Sequence, residues 1–393
     1  MVEVVQGNEA KYIRHHVTTV DIIFLSESEA HSEAFYLAVT DRASPDHWGM
    51  WKDVFRWHQQ DQAWLIQDPR SGIRTVVFKQ DAKLHPTPRA LGYFGPTQFA
   101  LQHAGIWEEV RDQGYLLKGL SWRRPTQETS PESRDWGDLI TSWDLTRGLA
   151  SREGECGYGM TILGQNHLRE IIMPKLSASG LARVLVATHT WVIIPIPGDG
   201  PPFVYIVDPV DWTLFSPIQK PREHGPTYYR ITVPMAPEQC CFLGPRPAKY
   251  EVIRSQRYET HQRIVPSMLS GRCMLIGDAA HLNNPWGGLG LSTGLLDADS
   301  LADALAYVIR QGVSTSILRR WADARREVFL KLVNPISSAN KLRCHDTNPD
   351  NPNSDPFFKM LRKEDNEQEL QDVMSAMSEM ATDVSQFIDS PYL

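Results

Sequence analysis

Two rhythms of apolar and polar positions run along this chain of 393 residues. Between Trp191 and Val233, four short runs rich in aromatic and β-branched residues (191–196, 203–207, 212–215 and 228–233) are separated by Pro, Gly and Asp turns. That spacing predicts strands in an antiparallel meander. Further on, Leu295, Ala298, Ala302, Leu305 and Ile309 recur at intervals of three and four, and Gly312 follows as a stop. That rhythm predicts a helix with one buried face. Just before it, residues 273–276 form an apolar run of buried-strand length, ending at Gly277-Asp278. Pro285, Gly287, Gly288 and Gly290 then make a loop with little side chain, whose amides are free to approach a ligand. Strand, carboxylate, glycine loop and helix N-terminus together suit an anionic ligand that also carries ribose hydroxyls.

Other stretches are read the same way. Residues 165–176 have the pattern of a helix. The tail offers an Asn/Asp/Pro loop over 346–356, then an amphipathic helix carrying Leu370, Val373, Met374, Met377 and Met380, a stripe that reads as packing. Gly198-Asp199-Gly200, between two prolines, reads as a turn. Residues 1–71 show clustered charges and tryptophans and little clean periodicity, and 125–134 is a polar interruption.

Length and composition narrow the class. A chain of this size holds about two domains by the length prior. A formal net charge of −7 argues against nucleic acid or an anionic membrane as main partner. Five cysteines without a CxxC pair favour a reducing compartment, and the start lacks a signal-peptide pattern, so a cytoplasmic location is expected. The thirteen histidines, His103 and His281 among them, lack metal-ligand spacing, and no metal site is expected. Neither a Gly-x-Ser-x-Gly elbow nor a Walker A loop is present.

The segment from Gly277 resembles the second FAD-binding motif of the aromatic-hydroxylase-type (para-hydroxybenzoate hydroxylase-like) monooxygenases. Gly277, Asp278, Ala279, Ala280, His281, Pro285, Gly288, Gly290, Asp297 and Ala298 match in register; Ser292 stands where the family has Asn. Residues 72–78 resemble the strand after the first nucleotide-binding helix, and 88–92 the segment carrying an arginine beside the flavin, here Arg89. Residues 99–114 and 119–124 are similar to the helix and strand of fungal members. Residues 164–168 resemble a helix start that carries a flavin-facing residue, here Gln165. Trp321, Arg325 and Arg326 fit a late helix.

The resemblance implies an α/β (mixed α+β) fold: an incomplete Rossmann-like FAD-binding domain with an inserted antiparallel substrate-domain sheet. It divides the chain into a divergent segment 1–71, a discontinuous FAD-binding domain 72–190 and 260–343, a substrate sheet 191–259, and a C-terminal loop and helix 344–393. It implies FAD as cofactor, held by Asp278, Pro285, Gly288, Gly290, Leu291, Ser292, Arg89 and Gln165. NAD(P)H would be the co-substrate, and a small aromatic or enolic metabolite of a fungal secondary pathway would accept oxygen from O2. No catalytic side chain is singled out. Tyr205, Tyr228 and Arg230 could face a substrate or serve as cross-strand packing.

Two departures keep other readings open. No Gly-x-Gly-x-x-Gly occurs in residues 1–71, and Lys79 stands where an acid should hold the adenosine ribose. The interval between Gln165 and Pro195 is too short for the family's Asp-Gly segment. The alternatives are a catalytically silent relative that binds a small molecule or partner, and an active enzyme whose gene segments are missing from this sequence.

Overall fold

The computed structural model describes residues 91–125, 137–178, 203–208, 212–218, 226–232, 261–271 and 273–388, with the backbone of six further short strands or strand segments. Five of these lie early. Strands β1 (Val4–Gln6) and β2 (Glu9–Lys11) pair antiparallel. Strands β3 (Ile22–Ile23), β4 (Leu65–Gln67) and β5 (Arg74–Val77) form a second sheet in the order β3-β5-β4. Both of its pairings are antiparallel. Within the run 72–78, expected as the strand after the first nucleotide-binding helix, Arg74–Val77 therefore join a small antiparallel sheet.

Strand β6 (Gly92–Tyr93) leads into helices α1 (Gly95–His103) and α2 (Trp107–Gln113). The single helix expected over 99–114 is two, because Gly105 turns the backbone at φ +71°. Strands β7 (Tyr115–Leu117), β8 (Gly119–Arg123), β9 (Leu139–Asp144) and β10 (Met160–Ile162) follow, then helix α3 (Gln165–Ala178). Strands β6, β10 and β7 make a three-stranded sheet.

The larger sheet adds β11 (Ile194–Pro197), β12 (Val204–Ile206), β13 (Thr213–Pro217) and β14 (Pro226–Thr232), in the order β11-β14-β13-β12-β8-β9. Three of the four expected strands, β12 to β14, are a meander. The first crosses to the far edge and pairs with β14, because β8 lies parallel along the open edge of β12. Two of the six strands, β8 and β9, thus come from residues 72–190.

The last part contains two hairpin-like pairs and the long helices. Strand β15 (Arg263–Ile264) pairs with β18 (His281–Leu282), and β16 (Leu269–Ser270) with β17 (Cys273–Met274). Helix α4 (Leu289–Gln311) ends at Gly312 in the left-handed conformation, as the sequence predicts. Helix α5 (Ser316–Val328) continues through a π-turn at Phe329–Val333 into α6 (Asn334–Asp346), one rod from 316 to 346. The π-turn ends just before Pro335, whose ring would clash with the carbonyl four residues back in an unbroken α-helix. Helices α7 (Pro356–Leu361) and α8 (Glu367–Ser378) close the chain.

One core joins these parts. Trp122 and Tyr205 of the large sheet, Trp286 and Leu289 of the glycine loop, Phe329 of the rod, and Phe358, Leu370, Met377 and Met380 of the tail are buried together. The methionine stripe is packing, as expected. Among the described residues, no helix is long and apolar enough to cross a membrane.

Candidate functional site

Residues 273–276 do not form the buried strand that their apolarity predicts. Cys273 and Met274 pair with Leu269-Ser270 across a turn at Gly271, the Leu275 amide donates to the Met268 carbonyl at 2.9 Å, and Cys273 is exposed. The physical reason lies in the partners: with residues 74–77 committed to an antiparallel sheet of their own, this run has just a hairpin neighbour. Extended backbone at Ile276 still delivers the chain to a 3-10 turn, Gly277–Ala279, with Gly277 at φ +56°. Gly277 lies against Gly294 of α4: a Cβ added at Gly294 would stand 3.2 Å from the Gly277 Cα. Two glycines are what this close approach of turn and helix requires. Asp278 sits in the turn with its residue exposed.

Behind the turn is a buried ion network. The Gly277 amide donates to Asp297 Oδ2 at 3.0 Å, and His281 Nε2 donates to the same oxygen at 2.8 Å. Arg325 Nε donates to Oδ1 at 2.7 Å. Asp297 and Arg325 are both fully buried. Burial alone would raise the Asp297 pKa, but the Arg325 charge, the His281 and Gly277 hydrogen bonds and the His281 charge outweigh it and hold the carboxyl below its ordinary value. The His281 ring stacks on Phe329 at 4.9 Å between centroids.

The glycine loop is fastened on both sides. The Asn284 backbone and side-chain amides donate to Gln262 Oε1 at 2.9 and 3.1 Å, and its side chain also donates to the Ser337 carbonyl at 3.0 Å. Trp286 is buried and meets half-buried Trp212 of the sheet edge-on at 4.4 Å. The Gly287 backbone lies near the phenol of Tyr205, a ring that stacks on Trp122. Burial holds the Tyr205 phenol well above the usual tyrosine range, so it stays neutral. Gly287 and Gly288 have φ +100° and +67°. Gly288 begins α4 with no side-chain cap, which leaves the first-turn amides of Leu289, Gly290 and Leu291 without intrahelical acceptors.

Comparison with known proteins agrees with this arrangement. Residues 241–335 match the FAD binding domain family FAD_binding_3. The para-nitrophenol 4-monooxygenase of Pseudomonas sp. (strain WBC-3) is 27% identical over an alignment of 351 residues, covering 71% of this chain and 83% of that one. The 6-hydroxy-3-succinoylpyridine 3-monooxygenase HspB of Pseudomonas putida (strain DSM 28022 / S16) is 43% identical over 107 residues, 27% of either chain. The crystal structure of p-nitrophenol 4-monooxygenase PnpA from Pseudomonas putida DLL-E4 superposes with a TM-score of 0.65 at 24% identity, covering 80% of this chain and 93% of that one. The chain is similar to the aromatic-hydroxylase-type FAD monooxygenases. Their mixed helix-and-sheet fold is the fold seen here, and the solved complex of aklavinone-11 hydroxylase with FAD and aklavinone shares it at a TM-score of 0.51 and 18% identity.

The residues that the resemblance ties to FAD fall in two groups, those inside the described residues and those outside them. Asp278 lies in the 3-10 turn, Pro285 and Gly288 in the loop that follows, and Gly290 in the first turn of α4. A Cβ at Gly290 would stand 3.2 Å from Asn283 Oδ1. Ser292 is buried and turns its hydroxyl toward the Gly92 carbonyl at 3.4 Å. Leu291 packs against the cluster that contains Leu168 of α3, the helix that Gln165 begins. Arg89, Lys79 and residues 198–200 lie outside the described residues, and Tyr228 is described by its backbone alone, paired with Pro195 across β14 and β11. Arg230 is half-buried in β14.

Three features escaped the sequence. The buried face of α4 is shifted from the one predicted: Leu305 is buried as expected, but Leu296, Asp297, Ser300, Leu301 and Ala304 are buried too, and Ile309 is 43% exposed. Apolar periodicity missed it because polar side chains occupy the inner face to serve the ion network. Arg325, matched only as a helix signature, proved to be the counter-charge of Asp297. His103, which no local spacing ties to a carboxylate, lies 3.1 Å from Asp299, and the ligand atoms of His103, Asp299 and Asp303 all fall within 4.8 Å of one another.

Proposed function

We propose that this protein is an FAD-dependent monooxygenase that uses NAD(P)H and O2 to oxygenate a small aromatic or enolic metabolite. The observation that carries the reading is the join of turn, glycine loop and helix. An exposed carboxylate at Asp278, a loop of left-handed glycines and the uncapped N-terminus of α4 follow one another in a single segment whose turn packs on α4, and the fold of the chain is that of the FAD monooxygenases. Bound FAD supplies the redox chemistry, taking electrons from NAD(P)H and passing them to O2, with one oxygen atom entering the substrate and the other leaving as water.

The chain's own residues bind and orient. Asp278 is suited to accept hydroxyls of the ribityl or ribose chain, and the amides at the start of α4 would meet an anionic part of the cofactor. The sheet meets the loop where Tyr205 lies near Gly287 and Trp212 packs edge-on against Trp286, an aromatic seam beside the loop. Asp278, Pro285, Gly288, Gly290, Leu291, Ser292, Gln165 and Arg89 are the residues assigned to the cofactor. A role in a fungal secondary-metabolite pathway is part of the proposal and rests on the likeness of residues 99–124 to fungal members. A second reading, a catalytically silent binding protein, draws on the absence of a Gly-x-Gly-x-x-Gly turn in residues 1–71.

The test is incubation with FAD, NADH or NADPH, isotope-labelled O2 and a panel of phenols and enolic ketones. The proposal expects substrate-dependent NAD(P)H oxidation and a product carrying one labelled oxygen. Bound FAD without any labelled product across the panel would favour the silent relative.

A further inference from the structure

The Asp297 carboxylate touches neither the loop amides nor the exposed face of the turn, yet it holds the backbone from which Asp278 projects. We propose that Asp297 is a positioning residue for the cofactor turn: clamped by Arg325, it fixes the Gly277 amide and the His281 ring and so aims Asp278 and the glycine loop. The inference rests on the assignment of Asp278 to FAD.

The geometry makes the argument. Residues 277 and 281 bracket Asp278, and both are tied to a single carboxylate oxygen, at 3.0 and 2.8 Å. A carboxylate only accepts, so His281 must present its Nε2 proton there, which sets the ring's orientation. The other oxygen is occupied by Arg325 Nε at 2.7 Å. Arg325 is itself held on its far side, donating from Nη1 to the Met380 carbonyl at 2.5 Å and to Thr382 Oγ1 at 3.1 Å, and from Nη2 to the Thr293 carbonyl at 3.4 Å. Neither partner can rotate away, and water is absent from the pair because both are fully buried.

The rod carrying Arg325 extends the same support along the loop. Phe329, in the π-turn, stacks on His281. Past that turn, the Ser337 carbonyl accepts from Asn284, and Asn340 packs against Gly287. The rod therefore reaches the cofactor segment directly at 281, 284 and 287, and at 277 through Asp297 of α4. Buried ion pairs contribute uncertain net stability, and their best-attested use is to specify one arrangement. Here the arrangement specified is that of the turn.

The experiment compares Asp297→Asn, Arg325→Lys, Thr382→Ala and Asp278→Ala with the wild type by two readouts. One is amide hydrogen exchange of the FAD-free protein, resolved by peptide; the other is the FAD dissociation constant. Asp297→Asn should speed exchange over 275–290 by about tenfold or more while α8 stays within about twofold, a local opening rather than a global one. Its FAD dissociation constant should rise by about tenfold or more. Thr382→Ala, which trims only the far side of Arg325, should move either readout by less than about twofold to threefold. Asp278→Ala should weaken FAD with exchange unchanged.

Exchange over 275–290 that is unchanged in Asp297→Asn, or that rises equally over the whole chain, overturns the proposal. If Asp297→Asn does not fold, Arg325→Lys is judged by the same two criteria. Because exchange is read without cofactor, wild-type protein that binds no FAD would sink the assigned function and still leave this test decisive.

Discussion

Gly287 and Asn340 are in such close contact that a Cβ on the glycine would stand 2.6 Å from the asparagine Nδ2. Asn340 cannot retreat freely, since its Oδ1 accepts from Arg343 Nη1 at 2.5 Å. The backbone at Gly287 is also left-handed, at φ +100°. Gly287→Ala should therefore cost about 1–3 kcal/mol in backbone strain before any clash is counted. Gly288, at φ +67° with open space around it, should cost about 1–2 kcal/mol on the same substitution. Urea unfolding of both variants checks the order. A Gly288→Ala variant less stable than Gly287→Ala would contradict the loop geometry.

The Asp297–Arg325 pair predicts acid lability. The folded pKa of Asp297 is depressed, so its contribution is fully present above the unfolded value of about 4 and is lost as pH falls through the lower folded value. Stability of the wild type should fall on acidification below pH about 4 more steeply than that of Asp297→Asn, which has no proton to take up there. Thermal melts from neutral to acid pH measure it. Parallel curves for the two proteins would show that the pair does not titrate with folding.

Cysteine chemistry tests the hairpin at 269–274. Cys273 is exposed, whereas Cys156 and Cys344 are buried, and burial pushes their thiols up to about 11 and about 12. A native-state alkylation followed by peptide mapping should label Cys273 and spare Cys156 and Cys344 until denaturant is added. A shielded Cys273 would restore the buried central strand that its apolar neighbours predict.

What the sequence disclosed and what it hid follow one physical division. Turns and caps are local, so the left-handed Gly277, Gly287 and Gly288, the stop at Gly312 and the helix start at Gln165 were all legible. Partnerships across the chain were not. Nothing in the spacing of Asp297 announces Arg325, and nothing in the run around Tyr205 announces Gly287. The face of α4 was misjudged for the same reason, because its inward polar residues have partners far away in sequence. The strand at 194–197 looked like the first of a meander, yet its place depends on β8 having taken the neighbouring edge.

Asp278→Ala is the direct test of the turn's assigned role. Loss of a charge-assisted hydrogen bond costs about 1.5–3 kcal/mol. FAD affinity should fall by about one to two decades, with the fold intact by circular dichroism. An unchanged dissociation constant would remove Asp278 from the site.

The account claims that this chain holds FAD through the turn and the α4 cradle, without a Gly-x-Gly-x-x-Gly turn in residues 1–71 to hold the pyrophosphate. Losing two charge-assisted hydrogen bonds there, at about 1.5–3 kcal/mol each, weakens binding by about two to four decades relative to an intact relative. Titration of the purified protein with FAD, followed by flavin fluorescence and then by desalting, measures this most directly. The account expects saturable one-to-one binding that is lost on the desalting column. No binding at all would contradict the cofactor assignment, and stoichiometric FAD surviving dialysis would contradict the half-cradle.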